Sequence, residues 1–179
     1  MNIRELTLKG AFILELNLSE DSRGSFIKTF SSDLFENTPL NKFNIAEEFI
    51  TVSKKNVIRG MHFQLPPHDH NKLVFCSRGS VIDVLVDLRS DSSTYGNVQA
   101  VNLDSKSKCA IFIPIGFAHG FLSLEDGSEL IYKVDKCYAA RHDTGILWSS
   151  IKYNWNVKDP ITSERDNSFI KFKDFVTPF

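Results

Sequence analysis

An all-β fold of the sandwich or jelly-roll type is what this sequence predicts, and three observations carry the prediction. Apolar runs are short and recur at fairly even spacing along most of the chain. The stretches between them are rich in Gly, Pro, Asn, Asp and Ser, the residues that make turns. Helix signals are confined to two brief segments, which predicts a few short peripheral helices.

Taken in order, the predicted strands cover residues 12–16, 26–30, 57–63, 72–76, 81–88, 98–103, 110–113 and 129–134. Each is bounded by turn residues. The 81–88 run is the clearest. Ile82, Val84, Val86 and Leu88 fall on one face and Asp83 and Asp87 on the other. Ser77-Arg-Gly-Ser80 predicts a tight turn between two paired strands, which would bring Asp83 near Lys72 or His62. Residues 31–36 read as a short helix, with Ser31 or Ser32 as N-cap and Asp33 favoured by the helix dipole. The 162–166 stretch predicts a further turn or short helix.

The length, 179 residues, predicts one domain over 1–179 with a real core. Fifteen phenylalanines supply bulk for that core or flat surfaces for ligand stacking. A net charge of −1 gives no global field for nucleic acid or anionic membrane, so anion binding must come from a local cluster. Three scattered cysteines, Cys76, Cys109 and Cys137, argue against a disulfide framework and for a reducing compartment. The charged N-terminal segment lacks the apolar stretch of a signal peptide, and no apolar run is long enough to span a bilayer. The expectation is a cytoplasmic protein.

The chemistry concentrates in two segments. Arg59-Gly-Met-His-Phe-Gln64 and Pro114-Ile-Gly-Phe-Ala-His-Gly-Phe121 each place a histidine beside glycine after strand-forming residues. Histidine titrates near neutrality and accepts protons at physiological pH. Strand parity puts His62 and Gln64 on one face, with Met61 and Phe63 on the other. Arg59, three positions before His62, should face away or sit at a bend. Lys72, Val74 and Cys76 share a face. Metal binding is the competing reading. His68-Asp-His70 is a His-x-His pair, and the Pro114–Gly116–His119 spacing resembles the second motif of metal-binding cupins. The carboxylate such a site needs is missing, because Lys72-Leu-Val-Phe75 stands where it should be. No metal site is expected.

These residues carry a family resemblance. The segments Asp21-Ser-Arg-Gly-Ser-Phe26, Ser53 to Gln64, Lys72-Leu-Val74, Asp83 to Arg89, Ile113 to Phe121, Tyr132-Lys133 and Gly145-Ile-Leu-Trp148 resemble the nucleoside-diphosphate 4-keto-sugar 3,5-epimerases, typified by dTDP-4-dehydrorhamnose 3,5-epimerase. The resemblance runs from about residue 10 to residue 168. It implies a cupin-type jelly-roll β-sandwich, a homodimer with an exchanged N-terminal strand, no cofactor and no metal. It implies that His62 is the general base, Tyr132 the general acid, Asp166 the partner of the base and Lys72 the group at the sugar carbonyl. Arg59, His119, Gln64, Tyr138 and Arg23 are implied as ligand-binding, with Arg23 reaching across the dimer, and Phe26 as a stacking surface for the base.

The nucleotide-reading positions depart from the family pattern. Lys28 stands where the family has a base-contacting glutamate, Arg165 where it has a lysine, and Asp143 where it has a glutamate. Glu47-Glu-Phe-Ile50 replaces a Gln-Asp-Asn-His type run. A carboxylate can accept both N1–H and N2–H of guanine, so Glu47 or Glu48 favours a GDP-linked substrate over a dTDP-linked one. The expected activity is epimerisation at C3, or at C3 and C5, of a nucleotide-linked 4-keto-6-deoxy sugar or 4-keto-heptose, in bacterial capsule or lipopolysaccharide synthesis. The rivals are dTDP-4-dehydrorhamnose 3,5-epimerase activity proper, a 3,4-ketoisomerase of the same fold, a metal-dependent oxygenase and a non-catalytic sugar-nucleotide binding module.

Overall fold

The computed structural model describes residues 2–179. In chain order the strands are β1 (Asn2–Glu5), β2 (Phe12–Glu15), β3 (Leu18–Asp21), β4 (Gly24–Ile27), β5 (Glu47–Ser53), β6 (Ile58–Gln64) and β7 (Lys72–Arg78). They continue with β8 (Ser80–Asp87), β9 (Val98–Asp104), β10 (Cys109–Ile113), β11 (Phe117–Ser123), β12 (Ser128–Val134) and β13 (Asp143–Gly145). Two short helices, α1 (Ser32–Phe35) and α2 (Glu164–Ser168), lie at the periphery with 3₁₀ turns at Trp148–Ser150 and Phe172–Asp174. This is the antiparallel β-sandwich that the sequence predicts.

One sheet has the order β1-β2-β10-β7-β12-β5 and the other β13-β6-β11-β8-β9; β3 and β4 form a separate hairpin. The apolar core is layered. Val74, Cys76, Ile111 and Leu130 of the first sheet meet Val81, Leu85, Leu103 and Phe121 of the second between the sheets. The outer face of the first sheet, with Leu14, Leu73 and Phe75, is covered by Phe35, Leu40 and Phe43. The outer face of the second, with Met61, Phe63, Val84 and Val86, is covered by Ile151, Trp155 and the C-terminal aromatics Phe172, Phe175 and Phe179. Both sheets are thus apolar on both faces. That explains why β8 alternates only partially: Val84 and Val86 face the C-terminal cover, whereas Val81 and Leu85 share the inner face with Asp83 and Asp87.

Two expectations are corrected. Ser77–Ser80 does not join paired strands. β7 belongs to one sheet and β8 to the other, and the chain crosses between them at Gly79. Its φ is +73°, and a Cβ there would lie 2.7 Å from Ser128 Oγ, so this crossover is built for glycine. Five strands also escaped the sequence reading: β1, β3, β5, β11 and β13. The first is charged and the last is very short. β5 opens on two glutamates, and β11 is interrupted by a histidine and a glycine. Ser31 does precede α1 in extended conformation, as an N-cap should, but its side chain makes no capping bond.

The pairing of β6 with β11 positions the site. His62 lies opposite His119 and Arg59 opposite Phe121, with a register shift between them. The shift occurs where Gly60, at φ +139°, meets Gly120. A Cβ on Gly60 would come within 2.5 Å of Gly120 Cα.

Candidate active site

A cavity of about 300 Å³ opens between the sheets. The inner faces of β5, β6, β7, β11 and β12 line it, together with the rim loops on either side of residues 70 and 138. The irregularity at Gly60 adds one residue to β6, so Arg59 lines the same cavity as His62 instead of facing away. Arg59 is held by Ser53 Oγ (3.1 Å) and by the Val52 carbonyl (3.3 Å).

His62 Nε2 lies 2.8 Å from Asp166 Oδ1. Asp166 is delivered by α2, whose N-cap Ser163 accepts its N–H, and its other oxygen accepts the Gly60 N–H at 3.1 Å. Burial opposes the charged carboxylate, yet the bonds from His62, Gly60 and Ser163 prevail and hold its pKa below the ordinary range. An ionised Asp166 keeps the imidazole proton on Nε2. The lone pair for accepting a proton is therefore on Nδ1. Phe169 packs edge-on against the ring, with centroids 5.7 Å apart.

Tyr132 comes from the facing sheet. It is buried, stacked flat on Phe49 (centroids 4.7 Å, planes 9° apart) and edge-on to His119. Burial raises its phenol pKa well above normal and Asp83 adds to the rise, so the group stays protonated and able to donate. His119 is bonded through Nε2 to Asp83 Oδ2 at 2.7 Å. Burial lowers the His119 pKa against the pull of Asp83. Asp83 is fully buried and its Oδ1 has no partner among the described residues. It reaches the site as the sequence suggested, though from across the sandwich and not through a hairpin with β7.

Lys72 donates from Nζ to the His62 carbonyl at 3.2 Å. Burial lowers its pKa from 10.5 to about 8, with Asp143 and Asp83 working in the opposite direction. If protonated Lys72 is the active form, kcat/KM should fall as pH rises through about 8. Unfolding stability should move the other way. Between about pH 8 and 10 the unfolded chain binds more protons than the folded one, so relief of the buried charge makes stability rise with pH. A pH–rate profile run beside denaturant melts separates the two. An alkaline loss of activity that tracks a loss of stability would exclude Lys72 titration as its cause.

The remaining positions divide. Gln64, Glu47, Tyr138, Asp143 and Arg165 all line the cavity. The Gln64 side chain is engaged with the rim: Oε1 accepts the Ala139 N–H (2.6 Å) and Nε2 donates to the His68 carbonyl (2.8 Å) and to His70 Nδ1 (2.9 Å). Arg165 pairs with Asp143 at 2.6 Å and covers the Phe169 ring. Glu47 accepts the Tyr138 N–H at 2.7 Å. Glu48 points to the opposite face of β5 and pairs with Lys133 at 2.7 Å. Arg23, Phe26 and Lys28 are exposed on or just after the β3–β4 hairpin and do not line this chain's cavity. Sequence reading missed Phe49, Thr51 and Lys136, which do line it, and weighed His70, which also lines it, only as a metal ligand. Alternation along β5 would have found the first two. His70, two positions before Lys72, falls on the same side of the chain.

The model of a protein family described as dTDP-4-dehydrorhamnose 3,5-epimerase matches residues 5–174. A dTDP-4-dehydrorhamnose 3,5-epimerase of Shigella flexneri is 39% identical over 176 residues, covering 97% of each chain. Among solved structures, the Mycobacterium tuberculosis rmlC epimerase superposes with a TM-score of 0.92 at 33% identity, covering 97% of this chain and 90% of that one. A Legionella pneumophila 3,5-epimerase solved with dTDP-4-keto-L-rhamnose also gives 0.92, at 28% identity, covering 98% and 94%.

Proposed function

Since this chain belongs to the dTDP-4-dehydrorhamnose 3,5-epimerase family and is an isomerase, we propose that it inverts C3 and C5 of a dTDP-linked 4-keto-6-deoxyhexose without a cofactor. The observation that carries the reading is the convergence of a His62–Asp166 pair, a buried protonated Tyr132 and Lys72 on one cavity. A 4-keto group acidifies the protons on both neighbouring carbons. His62 Nδ1 removes one of them, and the electron pair moves to the carbonyl oxygen. Lys72 stabilises the enolate by a charged hydrogen bond. Tyr132, on the facing sheet, delivers a proton to the opposite face of the carbon and so inverts it. Base, acid and oxyanion donor are all side chains, and the balance of the reaction requires nothing more.

The relatives whose substrates are named act on dTDP-linked sugars, which supports thymidine over guanosine. The argument for guanine rested on two free glutamates. Glu48 is paired with Lys133 away from the cavity, and one oxygen of Glu47 is engaged by the Tyr138 N–H, so the pair of glutamates is not presented to a base as that argument required. We further infer a homodimer in which a second copy presents Arg23, Phe26 and Lys28 to this cavity. In support, those residues are exposed, and β5 is an edge strand that shows Ile50 and Val52. Within one chain, β1 folds back on β2. Free cysteines suit a reducing cytoplasm.

The test is incubation with dTDP- and GDP-linked 4-keto-6-deoxyhexoses in D₂O, followed by mass spectrometry. Two deuterons gained by the dTDP sugar alone is the expected result. One deuteron would restrict the reaction to a single centre. Exchange confined to the GDP sugar would reverse the nucleotide assignment, and exchange with neither would remove the epimerase reading.

A further inference from the structure

His70 belongs to the His68-Asp-His70 motif, which the reaction above does not use. Its ring lines the cavity that Lys72 lines, two residues away along the run into β7. Its proton can be located from the neighbouring amide. Gln64 is buried, and the Ala139 N–H at 2.6 Å fixes its Oε1, so the NH₂ end faces the other way. One N–H goes to the His68 carbonyl at 2.8 Å and the second to His70 Nδ1 at 2.9 Å, a shorter contact than the Cys137 carbonyl at 3.4 Å. A nitrogen that accepts from an amide carries a lone pair. The ring proton is therefore on Nε2, the nitrogen that Gln64 does not hold.

Resting on the epimerase reading, we propose that His70 Nε2–H is a second donor to the keto oxygen of the substrate, beside Lys72. The charge state fits. Burial pushes the His70 pKa down to about 3, with Lys72 and Lys136 lowering it further and the His68 carbonyl opposing them. A neutral imidazole beside a cation adds a donor without adding repulsion, so Lys72 keeps its proton. A neutral donor also survives the pH at which Lys72 loses its charge. Two fixed donors on one developing oxyanion make the stabilisation strongest in the transition state, where the charge is greatest. His70 then touches the reacting atoms. Gln64 acts through it as a positioning residue, in place of the ligand contact that the sequence implied.

The experiment compares His70→Met, which removes the N–H, with His70→Gln, which keeps one near the same place. The substrate is a dTDP-linked 4-keto-6-deoxyhexose, with kcat and KM read separately. His70→Met is expected to lose about 10²-fold in kcat with KM unchanged, and His70→Gln to recover most of it. Gln64→Glu puts an acceptor at Nδ1 and should move the ring proton there, giving a similar loss in kcat that does not add to that of His70→Met. Wild-type kcat in a folded His70→Met enzyme, or a loss confined to KM, overturns the proposal. If either variant fails to fold, ¹⁵N NMR of the wild-type histidines decides: a His70 proton on Nδ1 overturns it too. A wild type that exchanges no proton with any dTDP sugar sinks the epimerase reading instead, so the two failures are distinguishable.

Discussion

His62→Ala is expected to abolish deuterium incorporation at every exchangeable sugar position while leaving the fold intact. The side chain is part-exposed at the cavity wall, and the packing of β6 rests on Ile58, Met61 and Phe63, which face the other way. Truncation therefore removes a base and not a piece of core. Loss of a positioned general base costs about 10²–10⁴-fold in rate. Both half-reactions begin with this proton transfer, so exchange and inversion should fall together. Asp166→Asn should resemble it in milder form. An amide can offer an N–H to Nε2, which stabilises the tautomer with its proton on Nδ1 and so removes the lone pair that takes the substrate proton. Exchange followed by mass spectrometry, with circular dichroism to confirm folding, checks both. A folded His62→Ala protein that exchanges at wild-type rate would take His62 out of the mechanism.

Tyr132→Phe is expected to separate exchange from inversion. The ring remains, so its stacking on Phe49 and its contact with His119 are preserved. Only the hydroxyl is lost. His62 can still remove a proton and return a deuteron to the same face, so exchange at retained configuration persists. Net inversion, which needs a donor on the opposite face, should drop by about 10²-fold or more. Parallel NMR analysis of label and configuration reads the two separately. Equal loss of both, with unchanged substrate binding, would make Tyr132 something other than the acid.

How much of this was legible in the sequence depends on what each residue needs from its neighbours. Parity along one strand is local information. It placed His62 with Gln64, and Lys72 with Val74 and Cys76, on the sides where the structure has them. Arg59 defied parity because the fault at Gly60 arises from close approach to Gly120, sixty positions on, which no local pattern encodes. The crossover at Gly79 was read as a hairpin because Arg-Gly makes either connection. What chose between them was the apolar character of both faces of β8, which demands cover on each side. β5 is hidden as a strand because it opens on two adjacent glutamates that mask its alternation; one of them serves a backbone N–H and the other a lysine on the outer face. Asp166 was accessible only through the family resemblance, since nothing near it in sequence announces a partner for a histidine over a hundred residues earlier.

That distance shapes how the enzyme should fail under stress. Asp166 rides on the C-terminal arm, which is attached to the second sheet by isolated bridges, Val57 with Ile161 and Ile146 with Ile170, by the bonds of Asp166 and Arg165 to β6 and β13, and by the aromatic cover. The arm belongs to neither sheet's hydrogen-bonded ladder, so its opening free energy should be smaller than that of the roll as a whole. Amide exchange in residues 161–172 should accordingly run ahead of exchange in β7, β8 and β11. A partly opened molecule would keep its sandwich and its imidazole but lose the carboxylate that orients it. Inactivation by mild denaturant then becomes a local, reversible undocking that precedes melting of the sheets.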